Sequence, residues 1–390
     1  MKVIRLAEDT ISQEELLSAA DFLTSGRRLT KGELTWQFEQ DFSSKVGSKH
    51  AVFVNSGSSA NLLVAAALKE SGRLKNQVVV CPAISWVTTV TPFMQLGFDV
   101  ILCDSEAGSL GLDPVALERI FQTSEPALLV IVNVLGHPNQ MDKISMLCQE
   151  YGVILVEDSC EALGTTTVEG DWLGTLGLAG TFSFYYGHHI STIEGGMVVT
   201  DDFDLYQVML SLRSHGWSRD LDDGVRADLV AKHGTDPFRD LYTFYYPGFN
   251  FRSTDLQAHI GLTQLRQIDF ISERRQVNHT KYESLLGNFW TQRSDTSRLS
   301  SFAFGITVEN RGELAESLFE HQIESRPLIC GNIGRHPFWL RHHSPQPLPV
   351  ADWIHDFGMY LPNHANLSES DVETVCEAVS FIGTPNWEMR

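Results

Sequence analysis

The chain reads as an α/β protein, a mainly parallel sheet with helices on both faces followed by a smaller C-terminal α+β domain. Two observations carry this. Over the first two hundred residues, short runs of aliphatic and β-branched residues alternate with stretches of helical pattern. Strands apolar on both faces belong to a parallel sheet that is covered on both sides. After Asp201 the character changes, and the last hundred residues alternate strand-like pieces with helices. A chain of 390 residues is expected to form two domains, here 1–240 and 241–390.

The elements follow in order. Residues 51–54 form a short strand and the Ala/Leu-rich stretch 61–70 a helix. A strand at 78–81 is stopped by Pro82, and a helical stretch spans 87–96. Strands at 100–102, 128–132 and 153–156 continue the alternation, and those at 181–184 and 197–200 flank a histidine-bearing segment. A polar, charge- and Gly-rich stretch at 218–240 leads to an aromatic run at 242–248, and from 255 one long helix is expected to reach 283. Beyond it lie a strand at 302–306 and helices at 314–321 and 369–379. No internal repeat or low-complexity tract interrupts the pattern.

Composition narrows the function classes. An apolar share of 43% with 20% charged residues is that of a soluble globular protein. The net charge of -20 argues against nucleic acid, whose phosphates are bound through positive patches. A site for a nucleotide-linked substrate on such a chain needs a local cluster of Arg or His. No apolar run nears the ~20 residues of a membrane helix, and the acidic start lacks a secretory apolar region. A cytoplasmic protein is expected. The six cysteines are scattered without a CxxC pair, so small buried thiols are expected rather than an iron–sulfur cluster.

Several residue groups could carry chemistry. Asn55-Ser56-Gly57-Ser58-Ser59-Ala60-Asn61 joins a strand to a helix. Small residues with free N–H groups at a helix start suit a phosphate, although a Ser-capped helix explains the same turn. In Glu157-Asp158-Ser159-Cys160-Glu161 a carboxylate at a strand end could pair with a pyridinium nitrogen, or cap a helix. Trp86, beyond another strand end, could stack on a flat ring or simply pack in the core. Ser183 could bind phosphate or meet solvent. Five residues on, His188 could move a proton, since imidazole titrates near ~6.5. Gly195-Gly196 marks a tight turn or a close backbone approach. A metal at His188-His189 is not expected, because no third ligand is evident.

In this order the pieces resemble the DegT-type sugar aminotransferases, which use pyridoxal 5′-phosphate (PLP) on the fold-type-I, aspartate aminotransferase-like scaffold. The matching stretches are 55–61, Trp86, Glu157-Asp158 and Phe182 through Gly196. Arg213-Ser214-His215-Gly216-Trp217, Pro247 through Arg252, Arg326-Pro327 and Leu361-Pro362-Asn363-His364 also match. The family's lysine, six residues before the Glu of the Glu-Gly-Gly turn, is replaced here by His188. None of the nine lysines lies between Lys143 and Lys232.

A small branch of the family, the sugar 3-dehydratases, shares this histidine. The sort acting on a CDP-linked sugar holds an iron–sulfur cluster through cysteines that this chain lacks. The chain is similar to the cluster-free sort of the colitose and lipopolysaccharide O-antigen route, through its pattern His-His-Ile-x-Thr-x-Glu-Gly-Gly. Glu161, where aminotransferases carry Gln, also fits that branch.

The resemblance implies PLP or its amine form PMP as cofactor, bound by Gly57, Ser58, Trp86, Asp158, Glu161, Ser183 and Asn250. Asn250 would serve the neighbouring subunit of a homodimer with shared active sites. His188 would be the catalytic base, and His215 and Arg219 substrate or glutamate contacts, with a packed His215 equally compatible. The reaction implied is removal of the C3 hydroxyl of a nucleotide-linked 4-keto-6-deoxyhexose, GDP-4-keto-6-deoxymannose above all, with L-glutamate restoring PMP. A sugar aminotransferase with an unusual base, or a non-catalytic PLP-fold sensor, are the alternatives.

Overall fold

The computed structural model describes residues 2–387. Seven strands form one sheet: β1 (His50–Val54), β2 (Val78–Pro82), β3 (Asp99–Cys103), β4 (Leu128–Val132), β5 (Ile154–Asp158), β6 (Ala179–Ser183) and β7 (Gly196–Thr200). Their order is β1-β7-β6-β5-β4-β2-β3. Strands β3, β2, β4, β5 and β6 run parallel, and β7 and β1 close the edge antiparallel. The central strand β4 is buried along its length, as its unbroken apolar run requires. The expected α/β architecture is therefore present, with strand bounds within a residue or two.

Three departures have physical causes. The first helix after β1 runs Gly57–Glu70, four residues longer at its start than expected, because Ser56 caps it by accepting from the Ser59 N–H at 3.0 Å. The expected single helix from 255 to 283 is two, Asp255–Leu265 and Ile268–Leu285. No Gly or Pro marks the break, and both pieces bury apolar residues, so the periodicity reads through it. The polar stretch holds a helix, Asp223–His233, capped by Asp222 and ended by left-handed Gly234. None of its residues is fully buried, and only Val225 and Leu229 lean on the main core, so its apolar stripe is too short to stand out from the charges around it.

The C-terminal part builds a three-stranded antiparallel sheet from β8 (Phe304–Thr307), β9 (Arg326–Pro327) and β10 (Gly358–Leu361), in the order β8-β10-β9. Its core joins Ile4 to residues between Tyr282 and Val379. Ala258, Leu265, Ile268 and Ile271 instead pack with Phe38, Phe42, Phe53, Phe182 and Phe184 against the large sheet. Arg213, 1% exposed, pairs with buried Glu39 and donates to the Phe53 carbonyl at 3.0 Å, which pins edge strand β1. Between the paired ends of β6 and β7, Ser183 opposite Gly196, residues 184–195 form the loop that carries His188.

Candidate active site

The carboxyl ends of β5 and β6 and the N-terminus of the helix Gly57–Glu70 meet at a cleft of about 410 Å³. Ligands gather at such strand ends in open α/β sheets. Gly57, Ser58, Trp86, Asp158, Glu161, Ser183 and His188 all line this cleft, drawn from positions over 130 residues apart. No lysine lines it among the described residues.

Alternation along β5 sends its two terminal carboxylates opposite ways. Asp158 faces the cleft, where its Oδ2 accepts from Asn61 Nδ2 at 2.8 Å and Thr89 Oγ1 at 2.7 Å. Glu157 is fully buried on the other side and accepts from the N–H groups of Gly174 (2.8 Å), Leu176 (2.6 Å) and Gly177 (2.8 Å). Burial raises its pKa. Of the pair read from the sequence, then, only Asp158 serves the cleft, and Glu157 ties down the loop before β6.

The helix start is built for close approach. A Cβ on Gly57 would stand 2.6 Å from the Ser183 Cβ and 3.0 Å from the Cys160 Sγ. One on Gly196 would stand 2.4 Å from the carbonyl carbon and oxygen of Ser56. Gly196 thus marks backbone against backbone rather than a plain hairpin turn. Ser58 donates to Thr88 Oγ1 at 3.0 Å beside the free N–H groups of the first turn. Trp86, 55% exposed, leaves a large flat face on the cleft wall.

His188 is held through Nδ1, 2.8 Å from the carbonyl oxygen of Cys160. A carbonyl only accepts, so Nδ1 carries the proton and Nε2 keeps its lone pair. Burial brings the imidazole pKa down to about 4; the Cys160 bond opposes this, while the Arg275 charge adds to it. Glu161 shows the reverse. Burial pushes its carboxyl up to about 8, against the Leu135 N–H bond at 2.9 Å and with help from the Asp158 charge. At neutral pH the cleft therefore holds a neutral imidazole beside a protonated carboxyl. His189 turns away, fully buried, with Nε2 2.7 Å from the Ser300 carbonyl oxygen. Among the described residues no cluster of His, Cys, Asp or Glu could hold a metal ion.

Three residues singled out in the sequence lie elsewhere. Asn250 is exposed and pairs through its backbone with Ser214. His215 adopts a left-handed φ of 64°, donates its N–H to the Phe249 carbonyl at 2.6 Å, and sets its ring against Trp217. The Arg219 guanidinium stacks on Trp217 at 4.1 Å and Tyr242 at 4.8 Å, with Nε on the Leu241 carbonyl at 3.0 Å. None lines the cleft of its own chain. The structure adds Tyr185, Tyr186, Glu194, Phe302, Arg326 and Tyr360 to the walls, and Thr89 as a partner of Asp158. The Trp86–Thr89 stretch, the histidine loop and the matching Arg326-Pro327 could have suggested several of them; Phe302 and Tyr360 arrive only through the fold.

A doubly covered parallel sheet, a helix N-terminus and a donor-clamped carboxylate around one cleft define an aminotransferase-like α/β protein. The chain belongs to the DegT/DnrJ/EryC1/StrS aminotransferase family, whose model matches residues 9–380. It is 34% identical over 378 residues to the GDP-4-keto-6-deoxy-D-mannose 3-dehydratase of Yersinia pseudotuberculosis, covering 93% of this chain and 95% of that protein. With the enzyme of the same name from Escherichia coli O55:H7 it shares 35% over 377 residues, 92% and 95% of the two chains. The fold matches a crystal structure of GDP-4-keto-6-deoxymannose-3-dehydratase with a trapped PLP-glutamate geminal diamine. That match has a TM-score of 0.88 and 31% identity, over 96% of this chain and 99% of that one.

Proposed function

We propose that this protein is a PLP/PMP-dependent sugar 3-dehydratase, removing the C3 hydroxyl of GDP-4-keto-6-deoxymannose to give the 4-keto-3,6-dideoxysugar. The observation that carries this reading is His188, a proton carrier facing a cleft that no described lysine lines. The overall balance closes with L-glutamate: the sugar loses one oxygen, and glutamate becomes 2-oxoglutarate and ammonia.

The residues present fit the cofactor. The first-turn N–H groups with Ser58 and Ser183, cleared by the missing side chain of Gly57, suit a phosphate. Asp158, oriented by Asn61 and Thr89, suits a pyridinium nitrogen. The Trp86 face suits the ring, and the Glu161 carboxyl a ring oxygen. Bound there, the cofactor supplies an amine that condenses with the C4 ketone and a ring that withdraws electrons.

The chain's own residues then do three things. Asp158 keeps a negative charge opposite the pyridinium. Nε2 of His188, free and neutral, accepts a proton at the cofactor C4′ position and donates it to the departing C3 oxygen. The buried wall residues Val132 and Ala303 limit water on the inner side of the cleft. A lysine would recapture the cofactor covalently and release an amino sugar; an imidazole offers no such route.

Asn250 is exposed and lies outside its own cleft. That suits a second copy of the chain whose phosphate site it completes, so we read the protein as a homodimer with shared sites. The nucleotide sugar and glutamate are its small-molecule partners, and dideoxysugar supply for lipopolysaccharide its place. The reading is tested by borohydride treatment of the PLP-loaded protein followed by peptide mass analysis, with glutamate-dependent ammonia release measured in parallel. No covalent attachment and free ammonia are expected. A trapped lysine, or an amino sugar in place of ammonia, would overturn it.

A further inference from the structure

Arg275, on the helix Ile268–Leu285, is a cation that the interior holds without a carboxylate. It is 1% exposed, and Nη1 donates to the carbonyl oxygens of Ser301 (3.2 Å), Phe302 (2.8 Å) and Asn363. Among the described residues its hydrogen-bond acceptors are all carbonyl oxygens, and its Nε has none. Dehydrating a guanidinium without an anion costs several kcal/mol, so the arrangement is expensive for a purely structural tie.

What the cation grips is the segment 300–303. Asn363, fully buried, adds donations to the Ser301 carbonyl (3.2 Å) and Oγ (2.6 Å) and to the Arg275 carbonyl (3.2 Å). The Ser300 carbonyl accepts from His189, and the Phe302 N–H donates to Leu135 at 2.9 Å. The N–H of that same Leu135 donates to Glu161. Held in this way, the Phe302 ring sits 5.1 Å from the His188 ring, tilted by 46°, and both face the cleft. Among the described residues His188 has a single side-chain hydrogen bond, at Nδ1. One bond fixes the tautomer but leaves the ring free to pivot about it.

We propose that Arg275 is a positioning residue for His188: it clamps the segment 300–303 so that the Phe302 ring stops the imidazole pivoting and keeps Nε2 aimed into the cleft. The assignment rests on the reading of His188 as the proton carrier and extends it to Arg275, which does not line the cleft. The same geometry sets the local field. Asp158 and Glu161 face His188 from the end of β5, His189 and Tyr185 from its own loop, and Arg275 from the helix behind. Of these, Arg275 opposes protonation of the imidazole and Asp158 favours it.

The test compares Arg275→Met, Arg275→Lys and Phe302→Ala in the full-length protein. The rate at which diethylpyrocarbonate modifies His188 is followed against pH by peptide mass analysis without substrate, beside kcat and KM. Met removes the charge, and Ala opens the imidazole to water. Both variants should move the His188 titration up toward the ordinary ~6.5 and lower kcat by about 10- to 100-fold, with KM little changed. Lys, which keeps the charge, should hold the titration near its wild-type value. Phe302→Ala leaves the guanidinium bonds in place, so it still decides the matter if Arg275→Met does not fold. An unchanged His188 titration in Phe302→Ala and in every Arg275 variant that folds would overturn the inference. Because that readout needs no turnover, it stands apart from the parent reading, which falls separately if His188→Asn keeps its activity.

Discussion

At the scale of single residues, two titratable groups in the cleft are pushed in opposite directions, and each has a measurable consequence. His188→Asn keeps the size and the Nδ1-side donor but removes the base, so turnover should fall about 10²–10⁴-fold. PLP binding, followed by its absorbance, should persist; near-normal turnover would contradict the role given to Nε2.

Glu161, with a folded pKa near 8 against an ordinary 4.5, keeps its proton on folding. Its stabilising contribution is therefore complete below about pH 4.5 and is lost as pH rises to about 8. His188, held near 4, works the other way: its contribution is present above about pH 6.5 and is lost as pH falls toward 4. Melting curves of cofactor-free protein and of Glu161→Gln should differ in slope between pH 5 and 8 and run parallel above it. Parallel curves throughout would show that the carboxyl is ionised in the folded state.

At the scale of elements, the site depends on two approaches that admit no side chain. Gly196→Ala puts a methyl 2.4 Å from the Ser56 carbonyl, backbone that cannot rotate aside, and should cost about 1–3 kcal/mol in a denaturant titration. Gly57→Ala meets Ser183 and Cys160 at the helix start. It should weaken PLP affinity while the melting temperature changes less, because the clash is with side chains that can shift. Equal PLP affinity in Gly57→Ala and wild type would exclude the helix start as the phosphate site.

This is also the scale at which the sequence was most and least informative. The strands after Val78 and the loop between β6 and β7 were readable because continuous apolar runs and paired glycines are local signals. The break at Arg266 and Gln267 was not, since apolar spacing continues across it. Nor was the helix Asp223–His233, whose contact with the core is limited to half-buried residues such as Val225 and Leu229. Asp158 could be read from its strand end, but its split from Glu157 is visible only once strand alternation is set against the loop at 174–177. The grip of Arg275 on Phe302 joins residues distant in sequence and leaves no local trace.

At the scale of the whole molecule, no helix among the described residues is long and apolar enough to cross a membrane. The outer surface nonetheless shows large aromatic residues in the run that precedes Asn250 in the chain, with Tyr242 72% and Phe244 59% exposed. Sedimentation should give twice the chain mass, and Asn250→Ala should lower PLP affinity without altering that mass. A monomer with full PLP affinity would remove the shared-site reading.

A proton carrier in place of a covalent anchor, on the reading proposed for His188, turns amination into deoxygenation. This is tested most directly by incubating the purified protein with PMP, L-glutamate and GDP-4-keto-6-deoxymannose and weighing the nucleotide sugar by mass spectrometry. A product lighter by one oxygen atom, formed with free ammonia, is the predicted result; a product carrying nitrogen at C4 would contradict it.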